Sequence, residues 1–471
     1  MLRVVDPLAD VDPGEPLSRR ECLRAGGVGL GGLTLPALLA SRAVAAPQGE
    51  PTSPSFGRAR SVILFVLNGG PPQHETWDPK PDAPREIRGE FGTIPSRTPG
   101  YRVGELMPRT AQLTDRIAVL RAVTTDGDNA HSTSGYQMLT GVPHAPLNRE
   151  NALPGPPNDW PVIGSLVRAA HSGPEPIPAA VTIPEHIWND GNKPWPGQDA
   201  GILGKRHDPW LIHCDPSSPD FRIPGLVLPA GVSRSRAVTR RELLESINRR
   251  VGAFADDASV RSYGVHARKA LEMLTSPSAR GAFDLSLEPE KVRDRYGRGR
   301  YAQSCLLARR LVEAGVSLVQ INWTRIKGLP NQGGWDTHQK HSSSCKSILM
   351  PMMDQAFSAL IEDLDARGLL DETLVVWTGE FGRTPKFNKN AGRDHWGHCF
   401  SIAMVGGGVQ GGAVHGASDK HAAFPASGIV RPRDVIATVF HCLGHGPGTE
   451  VDDLLGRPVP LTRGKPIDAV L

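Results

Sequence analysis

The chain has 471 residues, 39% of them hydrophobic and 22% charged, with a net charge of +4. That excludes wholesale disorder, a nucleic-acid footprint of clustered Lys and Arg, and any run of about 20 apolar residues able to span a membrane. Its 52 glycines and 43 prolines exceed the ordinary share of roughly 12% without a repeat period, which predicts many ordered loops around one large core.

Residues 1–45 read as an export signal. Ser18-Arg19-Arg20-Glu21-Cys22-Leu23 carries a twin arginine, Ala25 to Ala40 is a Gly-rich apolar stretch, and Ala43-Val44-Ala45 is an A-x-A cleavage site. The low hydrophobicity fits Tat rather than Sec export, which implies a periplasmic or extracellular protein. Residues 46–58 read as a linker and 59–471 as a single domain. Beyond Cys22, the widely spaced Cys214, Cys305, Cys345, Cys399 and Cys442 allow one or two disulfides or buried free thiols, and no zinc ribbon.

Ser61 to Leu67 predicts a strand buried on both faces, stopped by Asn68-Gly69-Gly70-Pro71-Pro72. Ile117 to Val123 predicts a second strand, and Gly135 to Leu139 the start of a helix. Pro143 to Pro229 reads as loop-rich. Arg241 to Arg250, Val260 to Leu274 and Leu306 to Leu311 have helical spacing, the last leading through Gly315 into a strand at Val316 to Ile321. Leu349, Met353, Phe357, Leu360 and Leu364 mark one helical face ahead of Gly368 and a strand at Thr373 to Trp377. Phe400 to Val405 is a further strand, ending in three glycines, and Val435 to Cys442 a last helix. The alternation predicts an α/β fold, a mostly parallel central sheet flanked by helices with loop-rich insertions. In such sheets ligands sit beyond the carboxyl ends of the strands, here after Leu67, Val123, Ile321, Trp377 and Val405.

Those segments carry the chain's densest polar clusters. His74, Glu75 and Asp78 follow the first strand, where Asp78 is equally a loop cap. His131, Ser132 and Ser134 follow the second, as a nucleophile site or as ordinary N-caps. Asp336, His338 and His341 follow the next, in position to face one cation. Glu380 and Arg383 follow Trp377, as metal ligand and anion clamp or as a structural pair. Asp394, His395 and His398 form the most ligand-like group. Asp336, His338, Glu380, Asp394, His395 and His398 together give mixed oxygen and nitrogen ligation, suited to zinc, manganese or iron rather than calcium. With a hydroxyl or water nucleophile and an Arg clamp, such a centre serves phosphate or sulfate ester hydrolysis.

The sequence resembles the exported bacterial family known as domain of unknown function 1501. The matching stretches include Leu67-Asn-Gly-Gly-Pro71, Trp77-Asp-Pro-Lys-Pro81, His131-Ser-Thr-Ser-Gly-Tyr-Gln-Met-Leu-Thr-Gly141, Trp195-Pro-Gly-Gln198, Gly334-Trp-Asp-Thr-His338, Gly379-Glu-Phe-Gly-Arg-Thr-Pro385 and Gly392-Arg-Asp-His395. That family looks like a branch of the alkaline phosphatase and sulfatase superfamily, which implies an alkaline-phosphatase-like fold and a divalent metal, with zinc as the expectation. The superfamily's first-strand Asp is Asn68 here, and its late Asp-His pair is Glu380-Phe381. Counting back nine residues from Thr140, where sulfatases place the nucleophile, lands on His131 beside Ser132. The resemblance implies a metal-dependent hydrolase of phosphate or sulfate esters, small-molecule or glycan, with Ser132, His131 and Arg383 as catalytic residues. The alternative it leaves is a non-catalytic protein that binds an anionic glycan or a cell-surface partner.

Overall fold

The run at Ser61 forms β1, Ser61–Val66, and every residue of it is buried. Its side chains divide with period 2: Ile63, Phe65 and the following Leu67 join one hydrophobic cluster, while Val62, Leu64 and Val66 join another. Each such buried side chain contributes about 1.5–3 kcal/mol over its exposed state. The computed structural model describes residues 53–171, 177–189, 193–223 and 276–471, with isolated positions between 226 and 273. The twin-arginine segment and its cleavage site lie outside them, as does most of the helical spacing at 241–250 and 260–274. One compact unit runs Ser53–Leu471.

The central sheet has eight strands: β1, β2 (Ile117–Val123), β3 (Ala180–Ile183), β4 (Trp210–Leu211), β5 (Leu318–Asn322), β6 (Thr373–Thr378), β7 (Phe400–Val405) and β8 (Val414–His415). Their spatial order is β8-β2-β7-β6-β1-β5-β3-β4. Pairs β6–β1, β1–β5, β5–β3, β3–β4 and β2–β8 are parallel, and β7 runs antiparallel to both β6 and β2. The mostly parallel α/β architecture is therefore the one the sequence predicts. Helices cover both faces, which lets these apolar strands be buried twice over. α1 (His131–Thr140), α2 (Ile163–Ala170) and α5 (Pro432–Cys442) pack into one cluster, α3 (Arg300–Glu313) and α4 (Met350–Ala366) into the other.

The structure departs from the sequence reading at three places and settles one alternative. The stretch read as loop, 143–229, contains α2, β3 and β4. α1 begins at His131, four residues ahead of the expected start, so its hydroxyl run is helical; no side chain caps it. Of the two states left open for the five cysteines beyond Cys22, the free thiol is the one found, and none of them forms a disulfide. Because β7 is antiparallel, the residue after Val405 lies at the end of the sheet away from the other strand tips. Gly406 there packs on the Leu370 carbonyl, 2.3 Å from where its Cβ would be, and makes a turn rather than a ligand loop.

A candidate metal centre at the strand tips

Five segments meet beyond the carboxyl ends of β1, β2, β5 and β6. Asn68-Gly69-Gly70 leaves β1 and runs hard against Trp335–Asp336. Gly69 has φ +112°, and a Cβ on it would lie 2.5 Å from the Asp336 nitrogen. Only glycine allows that approach and that conformation. Glu380, just past β6, is fully buried; its Oε1 accepts from the Gly69 N–H at 2.7 Å and from His131 Nδ1 at 2.6 Å. The loop beyond it doubles back, pairing Gly382–Arg383 with His395–Trp396, and so returns His395 to the strand tips. Gly392 lets that loop cross the one carrying His338, where a Cβ would sit 1.9 Å from the His338 carbonyl oxygen.

Three imidazoles converge on one carboxylate. Asp336 Oδ1 lies 3.0 Å from His338 Nε2 and 3.1 Å from His395 Nε2, and Asp336 Oδ2 lies 3.4 Å from His131 Nε2. Each ring is held from behind through Nδ1: His131 by Glu380 at 2.6 Å, His338 by Asp394 at 2.7 Å and His395 by the Asn129 carbonyl at 2.7 Å. When Nδ1 donates and Nε2 gives up its proton, each ring turns a lone pair to the centre, the arrangement of metal-ligating histidines. Ligand atoms of His131, Asp336 and His395 all lie within 4.8 Å of one another, so the residues form a possible metal site. Two buried oxygens at the same strand tips, Asn68 Oδ1 and Glu380 Oε2, have no hydrogen-bond partner. Orphaned acceptors beside convergent imidazoles fit a cation. Stacking fixes the rings further: Trp195 lies against His131 at 5.8 Å, and Phe381 against His395 at 4.5 Å.

The electrostatics point the same way. Burial would raise the Asp336 carboxyl, but the Arg383 guanidinium and the surrounding imidazoles hold it well below the usual carboxylate range. Burial opposes charge on His131, yet its bonds to Asp336 and Glu380 override that and push it up to about 9. His395, deep beside these charges, is pulled down by burial to about 4. The centre thus attracts positive charge at neutral pH, and a metal there competes with a proton.

A cavity of about 680 Å³ opens onto this cluster, lined in part by His131, Asp336, His338 and His395. Asp394 and Glu380 stand behind their histidines. The remaining expected site residues lie elsewhere. The Ser132 hydroxyl is buried, donating to the Arg149 carbonyl at 2.9 Å and accepting from the Ala152 N–H at 3.0 Å, away from the cavity. Arg383 is fully buried, and its nitrogens bond the carbonyls of Gly69, Gly70 and Arg393 and the Asp336 carboxylate. It anchors Asp336 instead of facing a substrate oxyanion. His398 packs among Trp396, Phe424 and Gly127, apart from the other histidines. His341 is buried against Glu75 at 3.3 Å and Thr337 at 2.6 Å.

Sequence reasoning missed four contributors. Asn129 acts through its backbone carbonyl, which no residue type announces. Glu150 reaches over the cluster, accepting from the His131 N–H at 3.0 Å. Trp195 was legible only as part of the family pattern. Arg393, fully buried, pairs with Glu75 at 2.8 Å and bonds the Thr384 carbonyl at 3.0 Å, so it ties down the loop that carries Asp394 and His395.

The family model described as "Protein of unknown function (DUF1501)" matches residues 59–471. No curated protein sequence matches the chain. Among solved structures it is similar to the PsFucS1 sulfatase from Pseudoalteromonas sp., at 13% identity over 83% of this chain and 68% of that one, with a TM-score of 0.38. The lipoteichoic acid synthase LtaP from Listeria monocytogenes is 9% identical, over 89% and 80%, with a TM-score of 0.38. Alkaline phosphatase from the Antarctic bacterium TAB5 is 12% identical, over 82% and 97%, with a TM-score of 0.32.

Proposed function

The chain belongs to that DUF1501 family, whose model spans residues 59–471, and we propose that it is an exported, metal-dependent hydrolase of phosphate or sulfate esters. The observation that carries this is the set of three histidines, each tied at Nδ1 and each presenting Nε2 to Asp336. In this reading His131, His338, His395 and Asp336 hold a divalent ion, with zinc the best match to a nitrogen-rich set. Such an ion supplies Lewis acidity toward an ester oxygen.

The chain's own residues supply the rest. Glu380 and Asp394 keep His131 and His338 in the Nδ1–H tautomer. Arg383 holds the Asp336 carboxylate in place. Glu150, at the cavity wall, is placed to handle a proton near the reacting group. Among the described residues lining the cavity there is no Ser, Thr or Cys, which favours attack by water over attack by Ser132. The twin-arginine segment directs the folded chain out of the cytoplasm, and the linker ends ahead of Ser53, where the compact unit begins, since the Gly57 N–H already bonds the His441 carbonyl at 3.1 Å.

The test is the metal content of protein purified from the periplasm, with hydrolysis of 4-nitrophenyl phosphate and 4-nitrophenyl sulfate. A stoichiometric divalent ion is expected, and hydrolysis lost in Asp336→Ala and on chelation. Protein without metal that cleaves neither ester would end the reading. Asn68 and Phe381, at the superfamily's Asp and His positions, favour a second reading. In that one the chain binds an anionic glycan without turning it over.

A further inference from the structure

The cavity is about 680 Å³, far more than a sulfate or phosphate group alone would fill, so its walls describe what carries the ester. Those walls are indole and carboxamide. Trp188, half-buried on the strand Trp188–Asn189, lies nearly parallel to the His213 ring, at 23° and 6.4 Å. Asn151, Asn189, Gln332 and Gln339 also line the space, whereas Leu329 is its one aliphatic side chain besides Pro330 among the described lining residues. A carboxamide both donates and accepts, and so matches a hydroxyl, which also does both. An indole face matches the flat C–H face of a sugar ring.

The rim is built to present these groups. Asn331 and Gln332 are consecutive non-glycine residues at φ 50° and 52°. That backbone is strained for residues with a side chain and persists only where surrounding bonds enforce it. Here the Asn331 side chain donates to the Gln339 carbonyl at 2.8 Å and to Ser344 Oγ at 2.9 Å, while the Gln332 N–H donates to the Leu329 carbonyl at 3.0 Å. An alkyl or aryl ester would be met by apolar walls instead. A polyphosphate would be met by several cations, and Arg325 is the one Lys or Arg among the described lining residues.

We infer that the ester taken at this site is carried on a carbohydrate, and that Trp188 with Asn151, Asn189 and Gln332 forms the sugar subsite. The inference rests on the ester-binding reading above, and binding and turnover separate the two. Titration calorimetry of the full chain, treated with chelator so that nothing is hydrolysed, uses monosulfates and monophosphates of galactose, glucose, fucose and N-acetylglucosamine. Adenosine 5′-phosphate and the 4-nitrophenyl esters are the comparison ligands. At least one sugar ester is expected to bind about tenfold more tightly than every comparison ligand. Trp188→Ala loses about tenfold on that sugar ester and Trp188→Phe recovers most of it. Gln332→Ala, at an exposed side chain that leaves folding intact, loses severalfold. If no sugar ester exceeds the comparison ligands, or if Trp188→Ala and Gln332→Ala bind as the native chain does, the sugar subsite is wrong. Sugar esters bound through Trp188 but not cleaved by metal-loaded protein would uphold the subsite and end the hydrolase reading. Aryl esters cleaved without sugar preference would do the reverse.

Discussion

His338 and His395 face each other through Nε2 at 2.9 Å, while each donates from Nδ1 to a different acceptor. Two imidazole lone pairs at that distance repel unless a proton or a cation lies between them. Burial pulls His395 down to about 4 while the bond to Asp336 raises His338, so the proton between the rings resides on His338. A divalent ion at the proposed centre would take that proton's place and would bind the folded chain alone. Stripping it with chelator is expected to lower Tm by several degrees, with recovery on adding zinc, because ligand at 1,000 times its Kd contributes about 4 kcal/mol. Scanning calorimetry before and after chelation decides this; an unchanged Tm would count against a bound metal.

Asp394 touches the centre only through His338, accepting from Nδ1 at 2.7 Å and from Asn388 Nδ2 at 2.9 Å. Asp394→Asn therefore keeps the side chain's shape and removes the charge that orients the ring. Metal affinity is expected to fall about 10–100-fold, the usual effect of such a second contact. Competition with a fluorescent chelator measures it. Asn388→Ala, which removes a bond to the same carboxylate, should give a smaller loss.

Most of this fold was legible because its central strands are β-branched apolar runs closed by glycine or proline, as at Ser61–Val66 and Thr373–Thr378. Strand direction was not, since Phe400–Val405 reads the same either way; only its pairing with Val375–Trp377 makes it antiparallel. Ala180–Ile183 was missed because four residues between prolines show too little alternation to stand out from loop. At the candidate site, the convergence of His131, Asp336, His338, Glu380, Asp394 and His395 was legible from their places past strand ends. Their roles were not, because a role depends on which nitrogen faces which oxygen. Arg383 reads in sequence as an anion clamp or as a structural partner of Glu380, and only the fold gives it the carbonyls of Gly69, Gly70 and Arg393 and the Asp336 carboxylate as partners.

Ser132 gives the sharpest contrast between motif and geometry. It stands one residue past His131, where the count back from Thr140 lands, and its hydroxyl bridges Arg149 and Ala152. Ser132→Ala removes that bridge and leaves the Ala152 N–H without its acceptor. A stability loss of about 1–3 kcal/mol is expected, as for any buried group left unsatisfied. Hydrolysis per folded molecule should fall far less than in Asp336→Ala. Denaturant midpoints and ester turnover, measured on the same preparation, would expose a nucleophilic Ser132 by loss of turnover without loss of stability.

Glu75 and Arg393, both buried, join the end of β1 to the loop that carries His395, at 2.8 and 3.2 Å. Burial would raise the Glu75 carboxyl, but Arg393 and then His341 hold it well below the usual carboxylate range. A carboxyl depressed in the folded state contributes stability above its unfolded pKa of about 4.3 and loses it as pH falls through the folded value. Stability should therefore decline progressively below about pH 4.5. Glu75→Gln leaves the Arg393 charge buried without its partner, so at pH 7 it should cost about 3–5 kcal/mol. It also removes one titrating group, so stability should fall less steeply with acid in the variant than in the native chain. Urea midpoints for both chains at pH 7, 4 and 3 test this: parallel acid slopes would show that Glu75 is not held in its charged form by Arg393.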